Sequence, residues 1–355
     1  MGSTDGLPDS MRAAVYLGPQ RLALRQVPVP RPASGEILVR VRAANTCGTD
    51  VKIYSRGHPK FPPPFVFGHE FGGDVVAVGE GVEAFTIGQR VTANVFAECD
   101  QCFYCRRGQG NLCENLVYNF GAYAEYLTIP ASIVQRSTFV IPSHISYAQA
   151  AVVEPLVTVV HGQGLVRIQP GETVAVIGAG GPIGLLHIQM AMANGAERVI
   201  AIGHSDARLA VACQLGASHI YNAHRVDTIT AIRDLTGGRG ADVVIECAGT
   251  KVAWETAVEA VRKGGRVLWF GGLPGGTKVE LDAARIHYGE ITLYGMHGGT
   301  AKEARCAFEL ITSGAINVSC LLSGKVPLEE LETALQSMIA GEVIKMVIIP
   351  NQDLG

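Results

Sequence analysis

The stretch from Glu172 to Met296 constrains the fold more than any other. It opens with "ETVAVIGAGGPIGLLHIQMAMANGA", an apolar run, a turn of glycines and an apolar helix closing at Gly195. The pattern then repeats through "RVIAIG", "DARLAVACQLGA", "HIYN", "DTITAIRDLTGG", "ADVVIECAG", "VAWETAVEAVRKGG", "RVLWFGG" and "ITLYGM". Apolar strands alternating with helices specify a parallel sheet covered on both faces, an α/β doubly wound domain. Gly178, Gly180, Gly181 and Gly184, with Pro182 and Ile183 among them, form the first strand-to-helix turn, where a helix N-terminus meets a pyrophosphate. A lone glycine turn says little, but inside this series it predicts a bound dinucleotide.

Upstream the chain reads differently. From Val15 to about Ala97, short apolar runs such as "EILVRVRA", "GGDVVAVG" and "QRVTANV" are broken by Gly and Pro, which predicts a β-rich, barrel-like domain. After Met296 come two helical stretches and the apolar strand "VIKMVIIP", expected to pack back on the first domain. A length of 355 residues suits two domains, and 48% hydrophobic residues suffice for their cores. A net charge of −3 with no basic stripe gives no pull toward nucleic acid. No apolar stretch is long enough for a membrane span. The opening "MGSTDGLPDS" lacks the features of a signal peptide and reads as a flexible extension or a remnant of cloning. A reducing, cytoplasmic setting is therefore expected.

Of nine cysteines, Cys213, Cys247, Cys306 and Cys320 lie in apolar or helical contexts and read as small core residues. Cys99, Cys102, Cys105 and Cys113 are spaced C-x2-C-x2-C-x7-C. Four thiolates on one loop suit a closed tetrahedral zinc site that stabilises a lobe and has no position for substrate. An iron–sulfur cluster is the main competitor, although the long last gap and Glu114 in place of proline depart from its spacing. A second set, Cys47, His69, Glu70 and Glu154, has the residue types of an open zinc site. Each could equally be ordinary, as a buried thiol, a histidine beside a turn, or a carboxylate before a proline. Spacing alone cannot join residues so far apart.

"CGTD", "GHEFGGDVVAVGEGV", the cysteine lobe, "AEY", "EPL" and "GGRGADVVIECAG" follow one another in this order, and with them the chain closely resembles the zinc-dependent medium-chain alcohol dehydrogenase family. Its polyol (sorbitol) and L-threonine dehydrogenase branch is the nearest pattern. The resemblance implies a GroES-like catalytic domain over 11–157 with a zinc lobe at 97–115. It further implies a Rossmann dinucleotide-binding domain over 158–296 and a C-terminal return over 297–355. Two zinc ions per chain are implied, one structural and one catalytic. Cys47 and His69 become direct ligands of the catalytic ion, with Glu70 and Glu154 sharing the remaining duty. Asp50 should orient His69, and Thr49 should take the proton of the substrate alcohol. Phe270, Gly271, Met296 and His297 should join the glycine turn in holding the cofactor.

Three departures refine this. The glycine turn has one residue more than the family's usual "GAGPIG". The strand "RVIAIG" ends at Gly203 without the acidic residue that holds the ribose of NAD, and His204, Ser205 and Arg208 follow, which favours NADP(H). Lys52 stands five residues after Cys47, where relatives commonly have histidine. An ordinary lysine (pKa ~10.4, against ~6.5 for histidine) donates a proton at neutral pH more readily than it accepts one. Lys52 is thus expected either to end a proton path suited to reduction or simply to face solvent.

Together these imply a zinc-dependent NAD(P)H-linked oxidoreductase that interconverts a secondary alcohol (polyol, sugar-like or cyclitol) and its ketone. L-threonine 3-dehydrogenase-like oxidation of an amino alcohol, and a non-catalytic NADPH-binding role, are the alternatives. Ile53 and Gly298, where sorbitol-type enzymes carry tyrosine and arginine, argue against a simple polyol. A homodimer or homotetramer is expected from the apolar last strand and the family's habit.

Overall fold

The computed structural model describes residues 6–351, so part of the polar opening segment lies outside the described residues. Within it, Ser10 already begins a strand and pairs with Pro28, and the Val29 N–H donates to the Asp9 carbonyl. Two compact units form: Met1–Val157 with Gly299–Gly314 and Leu321–Gly355, and Thr158–Gly298 with Ala315–Cys320. The C-terminal return is therefore not continuous. Gln189 fixes Ala315–Cys320 to the second unit by donating to the Asn317 carbonyl (3.0 Å) and accepting its N–H (2.7 Å).

The first unit is built around the strand Ile37–Asn45, which pairs antiparallel with Phe71–Val78, Tyr126–Ile129 and Lys345–Ile349. Its alternation of apolar and polar residues buries one face in the barrel core. Lys345–Ile349 is flanked on its other side by Leu322–Pro327. It therefore offers no free edge for association; the apolar run reflects burial inside the sheet. The helix Gly48–Arg56 interrupts what the sequence presents as a β-rich region, and the helices Tyr147–Ala151 and Val153–Val166 follow it. Ile53 is fully buried on the first of these, with its carbonyl accepting the Tyr16 hydroxyl. It serves the core and does not face a substrate.

The second unit is a six-stranded parallel sheet. Its spatial order is His219–Asn222, Arg198–Gly203, Thr173–Ile177, Ala241–Glu246, Val261–Trp269 and Thr292–Gly295. Numbered along the chain this is 3-2-1-4-5-6, the doubly wound order with its reversal between the first and fourth strands. The helix Lys251–Ala260 ends earlier than its sequence suggests, because Val261 pairs with Ala241 and the glycines after it carry a strand irregularity. The four remaining cysteines are not core residues: Cys213 is exposed on its helix, and Cys247, Cys306 and Cys320 are half-buried.

His187, on the helix Pro182–Ala193, is fully buried and is pushed down to about 3 by that burial. Its Nδ1 faces the Gln163 amide at 3.2 Å. The unfolded chain gains this proton below about pH 6.5 and the folded chain only near 3, so stability falls with pH across that window. Between pH 7 and pH 5 the wild type should lose about 2 kcal/mol more unfolding free energy than His187→Leu. Urea unfolding at the two pH values checks this; parallel losses would show that the buried ring is not the source.

Candidate active site

"CGTD" folds as a capping box in which a thiol replaces the usual hydroxyl. Cys47 is the N-cap of Gly48–Arg56; its Sγ accepts the Thr49 N–H at 3.4 Å, and Asp50 accepts the Cys47 N–H at 3.0 Å. The motif thus fixes its sulfur at the end of Ile37–Asn45. "GHE" immediately precedes the partner strand Phe71–Val78, and the Asn45 N–H donates to the Glu70 carbonyl at 3.0 Å. One antiparallel pair therefore brings Cys47 beside His69. Glu154 arrives in the first turn of Val153–Val166, and the Asn45 amide holds the preceding helix by donating to the Ala148 carbonyl (2.9 Å).

Cys47, His69, Glu70 and Glu154 are all buried, with one ligand atom from each within 4.8 Å of the others. His69 Nε2 lies 3.8 Å from Glu154 Oε2, and Nδ1 lies 3.0 Å from Asp50 Oδ1. The second pair is close but bent, so charge rather than an ideal hydrogen bond dominates it. With Nδ1 turned to Asp50, Nε2 is the nitrogen offered to a metal. The Asp50 Oδ2 also accepts the Tyr123 hydroxyl at 2.6 Å. Gly68, at φ +87°, permits this contact: a Cβ there would stand 2.6 Å from the Tyr123 ring.

Glu70 is held by Lys345, whose Nζ lies 2.7 and 2.6 Å from the two carboxylate oxygens and 2.6 Å from the Thr46 carbonyl. Neither Lys345 nor Tyr123 stands out in the sequence. The lysine is a single charge in an apolar run, and the tyrosine lies three residues from the "AEY" tyrosine that does attract notice.

The electrostatics fit a cation. Burial and Glu70 push Cys47 up, burial raises Glu154, and burial raises Glu70 to about 7 against the pull of Lys345. Burial opposes a charge on His69, but Asp50 and Cys47 overcome it and hold the ring well above its ordinary value. All four shifts favour gaining positive charge. Four acidic groups face one lysine, an imbalance that a dication corrects.

The second cluster also fits one ion. Cys102 and Cys105 sulfurs are 3.5 Å apart, and those of Cys99 and Cys113 are 3.4 Å apart, with every pair of the four within 4.8 Å. Tetrahedral sulfurs around one ion, at bonds of about 2.3 Å, stand roughly 3.8 Å apart. Four sulfurs this close cannot enclose a cluster of several irons. The Gln101 N–H lowers Cys99 to about 6, whereas burial and neighbouring sulfur raise Cys105 to about 12. The sulfurs resist ionising together unless a cation is shared.

Thr49 and Lys52 lie on the exposed side of their helix. In the second unit the cofactor candidates collect at the carboxyl ends of the parallel strands. Gly178, at φ +83°, makes the turn, and a Cβ on Gly184 would meet the Gly178 carbonyl at 2.5 Å, so helix and turn touch. Gly181 is the helix N-cap and Pro182 opens the helix, with Ile183 next, which settles the register of the long glycine turn. Gly203 ends its strand, followed by His204, Ser205 and the half-buried Arg208. Phe270 and Gly271 donate their N–H groups to the Glu246 carbonyl, and Met296 and His297 follow the last strand.

Residues 33–139 match the alcohol dehydrogenase GroES-like domain, and residues 182–313 match the zinc-binding dehydrogenase domain. The chain is 32% identical to the sorbitol dehydrogenase of Bacillus subtilis (strain 168), covering 98% of this chain and 100% of that one. It is 34% identical to the L-threonine 3-dehydrogenase of Pyrococcus abyssi, covering 92% and 94%. An alcohol dehydrogenase from Thermus sp. ATN1 superposes with a TM-score of 0.85 at 32% identity, covering 96% and 99%. A Sinorhizobium meliloti 1021 protein solved with NADP superposes at 0.89 and 32% identity, covering 97% and 100%. The chain belongs to the zinc-dependent medium-chain alcohol dehydrogenase family, whose chemistry uses zinc and a nicotinamide cofactor.

Two outcomes follow from the geometry. Asp50→Asn should weaken zinc retention about 10- to 100-fold, because His69 loses the anion that orients it; competition with a chromogenic chelator measures this. Lys345→Met should cost about 3–5 kcal/mol in urea unfolding by leaving a buried carboxylate unpaired, and adding Glu70→Gln should restore much of it. Equal losses in the single and double variants would mean that the pair is not what holds the site.

Proposed function

We propose that this chain is a zinc-dependent, NADP(H)-preferring dehydrogenase or reductase that interconverts a secondary alcohol and its ketone. The convergence of Cys47, His69, Glu70 and Glu154 within 4.8 Å, beside the exposed Thr49, carries the reading. When bound, zinc supplies a Lewis acid for the substrate oxygen, and the nicotinamide gives or takes hydride at C4. Cys47, His69 and Glu154 are the direct ligands in this reading. Glu70 is the reserve ligand, because Lys345 occupies both its oxygens. Thr49 takes or gives the proton of the substrate hydroxyl, and Lys52, about one helical turn beyond Thr49, ends that path toward solvent.

Relatives named for sorbitol and for L-threonine, and a 2R,3R-butanediol dehydrogenase of known structure from Bacillus subtilis (26% identity, TM-score 0.85), share one substrate feature. In each, the carbon next to the carbinol bears a second oxygen or nitrogen. We place the substrate in that class: a polyol, a sugar-like or cyclitol alcohol, or a small diol. The part-exposed Phe120, 5.6 Å from the His69 ring and 4.5 Å from Phe61, supports a substrate with an apolar side. An L-threonine-like amino alcohol is the second reading, favoured by the several relatives of that name.

Zinc content should be two per chain, falling to one in His69→Ala. NADPH should be oxidised faster than NADH over a panel of hydroxyketones, ketoses and 2-amino-3-ketobutyrate. One zinc per chain in the wild type and no turnover across the panel would sink the reading.

A further inference from the structure

The parallel strands Arg198–Gly203 and His219–Asn222 end side by side, with Gly203 opposite Asn222. The turns that follow them are therefore neighbours, and Asn222 ties them together. Its amide donates to Asp206 Oδ1 (2.7 Å) and to the His204 carbonyl (3.3 Å), while its Oδ1 accepts the His224 N–H (3.0 Å). This brings two exposed imidazoles, His204 and His224, to a ring separation of 4.4 Å. The carboxylate of this surface is already engaged: Asp206 accepts from Asn222 and pairs with Arg225 at 2.6 Å, and the amide holds its carboxyl below the ordinary value. Of the charged side chains that follow these turns in sequence, Arg208 is pushed down by burial, and Asp227 is occupied as an N-cap by the Thr230 N–H at 2.8 Å.

We propose that His204 and His224 together grip the 2′-phosphate of NADP(H), that Asn222 positions them, and that Arg225 withholds Asp206 from the ribose. This rests on the preference for NADP(H) proposed above and adds three residues, Asn222, His224 and Arg225, that the sequence does not single out. Two imidazoles this close repel when both are charged, and a phosphate dianion bound against the N–H groups of both removes that penalty. NADP(H) binding is therefore coupled to proton uptake by the rings, whereas NAD(H), with a plain 2′-hydroxyl, brings no such charge. At pH 7.5 the phosphate, with a second pKa near ~6, is already a dianion and contributes few protons of its own.

Titration calorimetry of the zinc-loaded protein with NADP+ and NAD+ at pH 7.5, in two buffers of different ionisation heat, tests this. We expect uptake of about half a proton per chain with NADP+ and none with NAD+. His204→Gln/His224→Gln should abolish the uptake and weaken NADP+ about tenfold or more, and NADP+ far more than NAD+, with an unchanged zinc content reporting that the fold is intact. Arg225→Ala should tighten NAD+ and weaken NADP+. If the wild type prefers NADP+ but takes up no proton, and the double variant keeps the preference, the histidine grip is wrong and the cofactor reading stands. If the wild type binds NAD+ as tightly as NADP+, both fall.

Discussion

Asp50 is the residue on which the catalytic end of this protein depends. One oxygen accepts the Cys47 N–H and the Tyr123 hydroxyl, and the other lies 3.0 Å from His69 Nδ1. Through it, the helix start that carries the thiol, the strand start that carries the histidine and the loop that carries the tyrosine are locked to one buried carboxylate. Burial and Asp50 raise the Tyr123 phenol well above its ordinary value, so it remains a hydrogen-bond donor. A fully buried anion is tolerable only where such donors surround it. The arrangement thus explains both why Asp50 can be buried and why His69 presents one nitrogen only.

The two thiolate clusters solve opposite problems. In the lobe, four like groups on one short loop crowd their sulfurs together, and a shared cation relieves the repulsion; that loop supplies all four groups itself. At the catalytic end the ligands come from two strand ends and a helix, and a fourth element, Lys345–Ile349, contributes the lysine that balances Glu70. Because Lys345 occupies both oxygens of Glu70, the two glutamates are not equivalent. Glu154 meets His69 Nε2 only at 3.8 Å and has no lysine across both oxygens, so it is the more available ligand.

How much of this the sequence discloses follows from the range of each interaction. The glycine turn, the alternating strands and helices, and the four-cysteine lobe are local patterns, and the structure places each where its pattern predicts. The pairing of Cys47 with His69 is long-range and is visible only through the family resemblance, since strand registry decides it. Lys345 and Tyr123 escape notice because their roles depend on what they face, not on their neighbours in sequence. The lysine sits in "VIKMVIIP", where apolar flanks suggest an association strand; the structure uses those flanks to bury a charge. Ile53 errs the other way, because helical spacing turns it into the core while Thr49 and Lys52 on the same helix stay exposed.

The two ends of the chemistry are held with unequal firmness. Around His69 every polar contact is buried and joined to another, so a single substitution propagates through the cluster and few alternatives are tolerated. Around Gly203 the contacts are exposed hydrogen bonds and a surface ion pair between two turns, individually weak and easily exchanged. A fold built this way holds its ligand cluster by buried, interlocked contacts and these turns by contacts that single substitutions can exchange. Asn222 is the exception at that end: it bonds three residues across both turns. Altering His224 or Arg225 changes one contact, but altering Asn222 releases Asp206, His204 and His224 at once, so it is the turn residue with the most to lose.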